Sequence, residues 1–138
     1  MSAAYTGGCA CGAIRYEIAD EPLVMIDCQC RDCQRKSGTG HGSYLIFPNR
    51  ERVKLEGSAT HWDLVADSGN VKTRAFCPTC GSPVYLTFAA SPALFTIHAA
   101  SLDDPSRYKP QVVTYRVRGH AWDLVDPTLM QFDKMPPR

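Results

Sequence analysis

Apolar and polar residues alternate along much of this chain with a period of two. Ile14, Tyr16 and Ile18 interleave with Ala13, Arg15 and Glu17, the pattern of a half-buried β-strand. Similar short runs predict strands over 23–26, 43–47, 52–55, 61–65, 71–76, 84–88, 94–98 and 112–117. Turn signals separate them: Asp20-Glu21-Pro22, Pro48-Asn49-Arg50, Glu56-Gly57-Ser58, Asp67-Ser68-Gly69-Asn70 and Ser91-Pro92. Evenly spaced short strands with this punctuation predict a mainly β fold, a sandwich or barrel-like assembly of sheets. Helix is expected only as a turn over 32–36 and a second short one over 101–105. The tail over 134–138, with Pro136-Pro137, is expected to fray.

The length of 138 residues predicts one domain over 1–138. Ten Gly and ten Pro punctuate so short a chain often, which suits strands better than long helices. A net charge of +1 gives no electrostatic case for nucleic acid or an anionic membrane as partner. No apolar stretch approaches the roughly 20 residues that span a bilayer. The start, Met1 to Thr6, lacks a basic region followed by an apolar run, so the expected compartment is the reducing cytoplasm.

Seven cysteines change this picture, because they fall in three tight groups. Cys9 and Cys11 form a C-x-C pair. Cys28, Cys30 and Cys33 form C-x-C-x-x-C. Cys77 and Cys80 form a C-P-x-C-G knuckle. An odd count, very short spacings and a reducing compartment argue against a disulfide framework. An iron–sulfur cluster needs four ligands, and the triplet supplies three. The two pairs together make four thiolates, a closed shell for structural zinc, whereas the triplet leaves a position open, as catalytic zinc sites do. A thiol bound at the open position would be deprotonated and nucleophilic at neutral pH. Arg31, Arg35 and Lys36 lie near enough in sequence to offset the net negative charge of three thiolates on zinc. Closure of this site by His41, His61, His98 or His120 stays open, as does a triplet of metal-free thiols.

Other residues carry less. Arg15, Arg31, Arg35 and Lys36 could hold carboxylates, but as surface charges they need no such role. Trp62 and Trp122 read as core or as pocket flanks, and Asp103-Asp104-Pro105 as a turn with a cap. No Ser/His/Asp triad or phosphate-cradling glycine loop is evident.

With these groups placed, the chain resembles the glutathione-dependent formaldehyde-activating enzymes, also described as the centromere-protein-V-like family. The markers are Gly8-Cys9-Ala10-Cys11-Gly12, Cys28-Gln29-Cys30-Arg31-Asp32-Cys33 with Ser37-Gly38, Cys77-Pro78-Thr79-Cys80-Gly81-Ser82 and Ala100-Ser101-Leu102-Asp103-Asp104-Pro105. Trp122 and Leu129-Met130-Gln131-Phe132 resemble the family's C-terminal pattern. The resemblance implies a β-tent fold of short, mostly antiparallel sheets stapled by zinc. It implies two zinc ions per chain: a structural one on Cys9, Cys11, Cys77 and Cys80, and a catalytic one on Cys28, Cys30 and Cys33. It also implies a carbon–sulfur lyase-type reaction that joins a small thiol, such as glutathione, to formaldehyde. Members often carry His where this chain has Gln29, and an apolar residue near His41. The other reading is a non-enzymatic, zinc-stabilised binding or chaperone-like module.

Overall fold

The computed structural model describes residues 3–66 and 68–136. Among these, two sheets and one helix form. The strands are β1 (Tyr5–Gly8), β2 (Arg15–Ile18), β3 (Val24–Cys28), β4 (Gly42–Phe47), β5 (Val53–Glu56), β6 (Thr60–Val65), β7 (Val71–Phe76), β8 (Pro83–Phe88), β9 (Phe95–His98), β10 (Val112–Thr114) and β11 (Met130–Gln131). The helix α1 (Arg31–Ser37) follows β3. The smaller sheet runs β1-β2-β5 and the larger β11-β10-β3-β4-β9-β8-β7-β6.

Strand alternation gives the larger sheet two covered faces. Leu45 and Phe47 of β4 join Tyr5, Tyr16 and Ile18 of the smaller sheet in one apolar core. Tyr44 points the other way, into a second core with Ile26, Cys28, Cys33, Leu86 and Tyr115, against which Ile46 also packs. The smaller sheet therefore covers one face, and α1 with the chain around Tyr115 covers the other. Neither side of β4 is left to water, so its apolar run is nearly continuous, as expected of a strand buried on both faces.

The mainly β expectation holds, with differences of detail. The larger sheet is mixed, because β10 runs parallel to both β3 and β11. A parallel neighbour needs a long return path, and the chain between β3 and β10 supplies it. The strand expected over 112–117 stops at Thr114, since Tyr115 adopts a left-handed conformation with φ 54°. The chain then enters a 3₁₀ turn, Arg116–Arg118. The short helix expected over 101–105 is instead two 3₁₀ turns, Ala99–Ser101 and Pro105–Arg107, the second capped by the Asp104 carboxylate on the Ser106 amide at 3.1 Å. β1 and β11 were not expected: Thr-Gly-Gly carries no apolar alternation, and β11 is two residues long. The tail is docked at least as far as Lys134, whose carbonyl accepts from the Tyr115 amide at 3.2 Å. Pro137 and Arg138, the end of the expected frayed tail, lie outside the described residues, as do Met1, Ser2 and Asp67. Among the described residues no helix is long and apolar enough to cross a membrane.

Candidate metal centres

Cys9 and Cys11 lie in the turn between β1 and β2, and Cys77 and Cys80 in the turn between β7 and β8. Each turn is closed by a glycine in the left-handed region, Gly12 at φ 83° and Gly81 at φ 76°, where an L side chain would be strained. One pair thus comes from each sheet, and the four sulfurs meet within 4.8 Å of one another. Cys9 Sγ lies 3.6 Å from Cys11 Sγ, which lies 3.6 Å from Cys77 Sγ. That is far too long for a disulfide, whose sulfurs are about 2.05 Å apart. It matches the edge of a sulfur tetrahedron around zinc, about 3.8 Å for bonds of about 2.3 Å. Backbone N–H groups aim at the sulfurs: Ile14 at Cys9 (3.2 Å), and Thr79 and Cys80 at Cys77 (3.4 and 3.5 Å). Ser82 links the pairs, accepting from the Ala10 amide at 3.1 Å with its hydroxyl 3.2 Å from Cys80 Sγ. The Ser82 hydroxyl and amide hold the Cys80 thiol down to about 5. Thiolate-stabilising donors around four converging sulfurs fit a closed metal site.

The triplet is built differently, across a strand end and a helix start. Cys28 is the last residue of β3, Cys30 is the N-cap of α1, and Cys33 lies in its first turn. Cys30 Sγ accepts from the Cys33 amide at 3.3 Å, a sulfur version of an N-cap. The three sulfurs converge within 4.8 Å of one another. Among the described residues no His, Asp or Glu joins them. Hydrogen bonds from Cys28 and Cys30 hold the Cys33 thiol well below its ordinary range, helped by the charges of Lys72 and Arg74, while the same sharing pushes Cys28 well up.

Lys72 and Arg74 are the cations beside the triplet, and sequence reading did not single them out. Both lie on β7, two residues apart and hence on one face. Lys72 Nζ donates to Asp32 Oδ2 at 2.9 Å and Arg74 Nε to the same oxygen at 2.8 Å. Arg74 Nη2 reaches Cys33 Sγ at 3.5 Å and the Tyr44 hydroxyl at 3.3 Å. Burial opposes the charge of Asp32, but the hydrogen bonds from Arg74 and Lys72 prevail and hold its carboxyl below the usual range. Arg74 Nη1 is buried with no partner among the described residues. Three thiolates on a zinc ion would carry one net negative charge and Asp32 carries another, which the two buried cations would balance. The spare guanidinium N–H and this balance fit an anionic metal–thiolate group. Of Arg31, Arg35 and Lys36, expected to do this, Arg31 and Lys36 are engaged elsewhere. Arg31 donates to Gln34, and Lys36 Nζ sits 4.2 Å over the Trp62 ring.

The histidines stand apart from the sulfurs. His41 Nδ1 lies 2.8 Å from Asp123 Oδ2, and His120 Nε2 2.9 Å from Gln34 Oε1. His61 Nε2 lies 3.3 Å from the Tyr85 hydroxyl. His98 packs edge-on against Tyr44, with centroids 5.0 Å apart. Burial, and then the Arg74 charge, push the His98 imidazole down to about 4, from 6.5. A base depressed in the fold contributes its stability above its unfolded value and loses it as pH falls towards the folded one. Between pH 6.5 and 4 the native protein should lose about 3 kcal/mol from this group alone. Urea unfolding of wild type and His98→Gln across that range reads the difference, with metal loss common to both. Parallel pH profiles would refute it.

A cleft of about 710 Å³ is lined by residues that include Cys9, Ser82, Lys36, His41, Ser43 and His98. Arg15 and Asp103 lie on its wall and pair at 2.9 Å. Trp122 stacks on His120 at 4.9 Å and is largely exposed, rather than flanking this cleft.

Two comparisons bear on this arrangement. A crystal structure of a Rhodobacter sphaeroides protein is similar in fold, with a TM-score of 0.56 and 21% identity over 71% of this chain and 87% of that one. Residues 4–118 match the family described as glutathione-dependent formaldehyde-activating enzyme. The match takes in all seven cysteines and ends before Trp122 and the segment 129–132. With both cysteine groups inside the matched span, the chain belongs to the glutathione-dependent formaldehyde-activating enzyme family.

Proposed function

We propose that the chain, as a single domain over 1–138, is a zinc-dependent carbon–sulfur lyase-type enzyme. In this reading Cys9, Cys11, Cys77 and Cys80 hold a structural zinc, and Cys28, Cys30 and Cys33 hold a catalytic one. A thiol such as glutathione adds through sulfur to formaldehyde or a related carbonyl. The zinc at the triplet would supply thiolate stabilisation at neutral pH. Reduced thiols are a condition of this chemistry, which suits a reducing compartment such as the cytoplasm.

The observation that carries the reading is the convergence of exactly these three triplet sulfurs, without a fourth His, Asp or Glu among the described residues. A three-ligand set is the mark of a zinc site that keeps a coordination position for substrate. The four-sulfur group is complete and has no such place.

Native mass spectrometry on reduced protein tests the two sites together. Wild type should carry two zinc ions and Cys30→Ser one, with the fold retained and turnover of thiol and formaldehyde abolished. In cobalt-substituted wild type, glutathione should shift the visible spectrum of the second metal. An unmoved spectrum with full zinc would instead favour the binding-module reading. Unchanged turnover in Cys30→Ser would remove the triplet from the chemistry.

A further inference from the structure

The strand β6 ends the larger sheet, and among the described residues it pairs with β7 alone. With six residues it is the longest edge of either sheet, for β1 and β5 have four each and β11 two. Proteins blunt such edges with proline, lysine, a bulge or a covering segment. Thr60-His61-Trp62-Asp63-Leu64-Val65 holds no proline, glycine or lysine, and the register shift nearby lies between β7 and β8. All of these residues but Leu64 are exposed, Trp62 and Val65 included. The Ala66 amide donates to the Asn70 carbonyl at 2.9 Å, and bonded pairs recur at every second residue of an antiparallel ladder. Leu64 with Lys72 and Trp62 with Arg74 are therefore bonded pairs. The N–H and C=O groups of His61, Asp63 and Val65 point the other way, out from the sheet edge.

From this edge we infer that the protein pairs with a second copy of itself, β6 against β6, antiparallel about a two-fold axis at Trp62. Outward groups must meet outward groups, so the axis falls on a residue and not between two. An axis at Asp63 sets two carboxylates against each other, which is unfavourable. Axes at His61 or Leu64 set Asp63 against Ala59 or Val65, whose side chains offer no donor. An axis at Trp62 sets His61 against the partner's Asp63, and by symmetry Asp63 against the partner's His61. Asp63 Oδ1 accepts from Thr73 Oγ1 at 2.7 Å, which leaves the second carboxylate oxygen for an imidazole N–H. His61 Nε2 lies 3.3 Å from the Tyr85 hydroxyl, which leaves Nδ1 to face that carboxylate. The two Trp62 rings meet at a pair without ladder bonds, where side chains approach most closely. They lie on the face where Lys36 Nζ already covers Trp62. Charge complementarity selects this register, and the result is one sheet running through both copies. The pairing is independent of the thiol-addition reading.

Sedimentation velocity on reduced, zinc-replete protein tests it, from about 1 μM to about 1 mM, the range of weak complexes. Wild type should pass from monomer to dimer within that range. Asp63→Lys should weaken the dimer about tenfold, because symmetry removes the pair with His61 twice. Exchanging the two residues, His61→Asp with Asp63→His, should restore it, since each still faces the other across the axis. Asp63→Pro should abolish it. That N–H points away from β7, so proline there costs no ladder bond within the chain. Amide hydrogen exchange adds a signature: His61 and Asp63 should gain protection as concentration rises, while Trp62 and Leu64 should not change. A wild type that stays monomeric throughout would overturn the inference and leave the edge for a strand from another protein. A dimer indifferent to Asp63→Lys would place the contact on another surface and overturn it equally. A dimer weakened by Asp63→Lys but not restored by the exchange would overturn the Trp62 axis.

Discussion

Cys77→Ser protein is expected in the insoluble fraction, or as an expanded chain without the four-sulfur metal. Cys77 is fully buried within the core shared by the two sheets. Its sulfur accepts two backbone N–H groups and approaches Cys11 from the other sheet. A structural zinc contributes about 10 kcal/mol or more at neutral pH, because the unfolded chain holds no preformed site. That equals or exceeds the net stability of a typical domain, about 5–15 kcal/mol. The small sheet would lose the clamp that ties its first turn to β7 and β8. Solubility, zinc per chain and far-UV circular dichroism read the outcome. A compact, soluble Cys77→Ser protein with two zinc ions would refute the structural assignment.

Arg74→Met should leave the four-sulfur site filled and weaken the other one. The guanidinium is almost wholly buried and bonds Asp32, Cys33 and Tyr44 at once. Removing it leaves Asp32 and the triplet with Lys72 as their remaining cation among these contacts. Breaking one partner out of a buried ionic group costs about 3 kcal/mol, since the other charge stays desolvated. Loss of a group that orients a metal ligand costs a further 10–100-fold or so in metal affinity. Competition with a chromogenic zinc chelator should show the second zinc leaving at that much lower chelator concentration while the first stays. Identical chelator profiles for the two proteins would show that Arg74 does not support the triplet.

The cysteine groups were legible in the sequence because each is local. A C-x-C pair or a C-x-x-C turn converges through a few backbone torsions, and glycine at 12 and 81 marks the tight turn. The period-two strands were legible for the same reason, since alternation is set by the pleat and needs no partner. The triplet's dependence on α1 was partly visible in the expected turn over 32–36, although not that Cys30 caps it.

What only tertiary structure decided lies between elements far apart in the chain. The strand period alone puts Lys72 and Arg74 on one face, but nothing in it says that this face is buried against Asp32 and Cys33, some forty residues earlier. The nearer cations, Arg31, Arg35 and Lys36, were the natural candidates, and packing sent Arg31 to Gln34 and Lys36 to Trp62. His41 and Asp123 are 82 positions apart and meet because Tyr115 turns the chain back over α1 after β10. By itself, then, the sequence determined the local cysteine groups, which follow from short-range covalent geometry, whereas the meeting of the 9/11 pair with the 77/80 pair was decided by the packing of the two sheets. Tertiary structure decided how charge is balanced around them and which side chains face the cleft, because burial and pairing depend on which surfaces the folded sheets bring into contact.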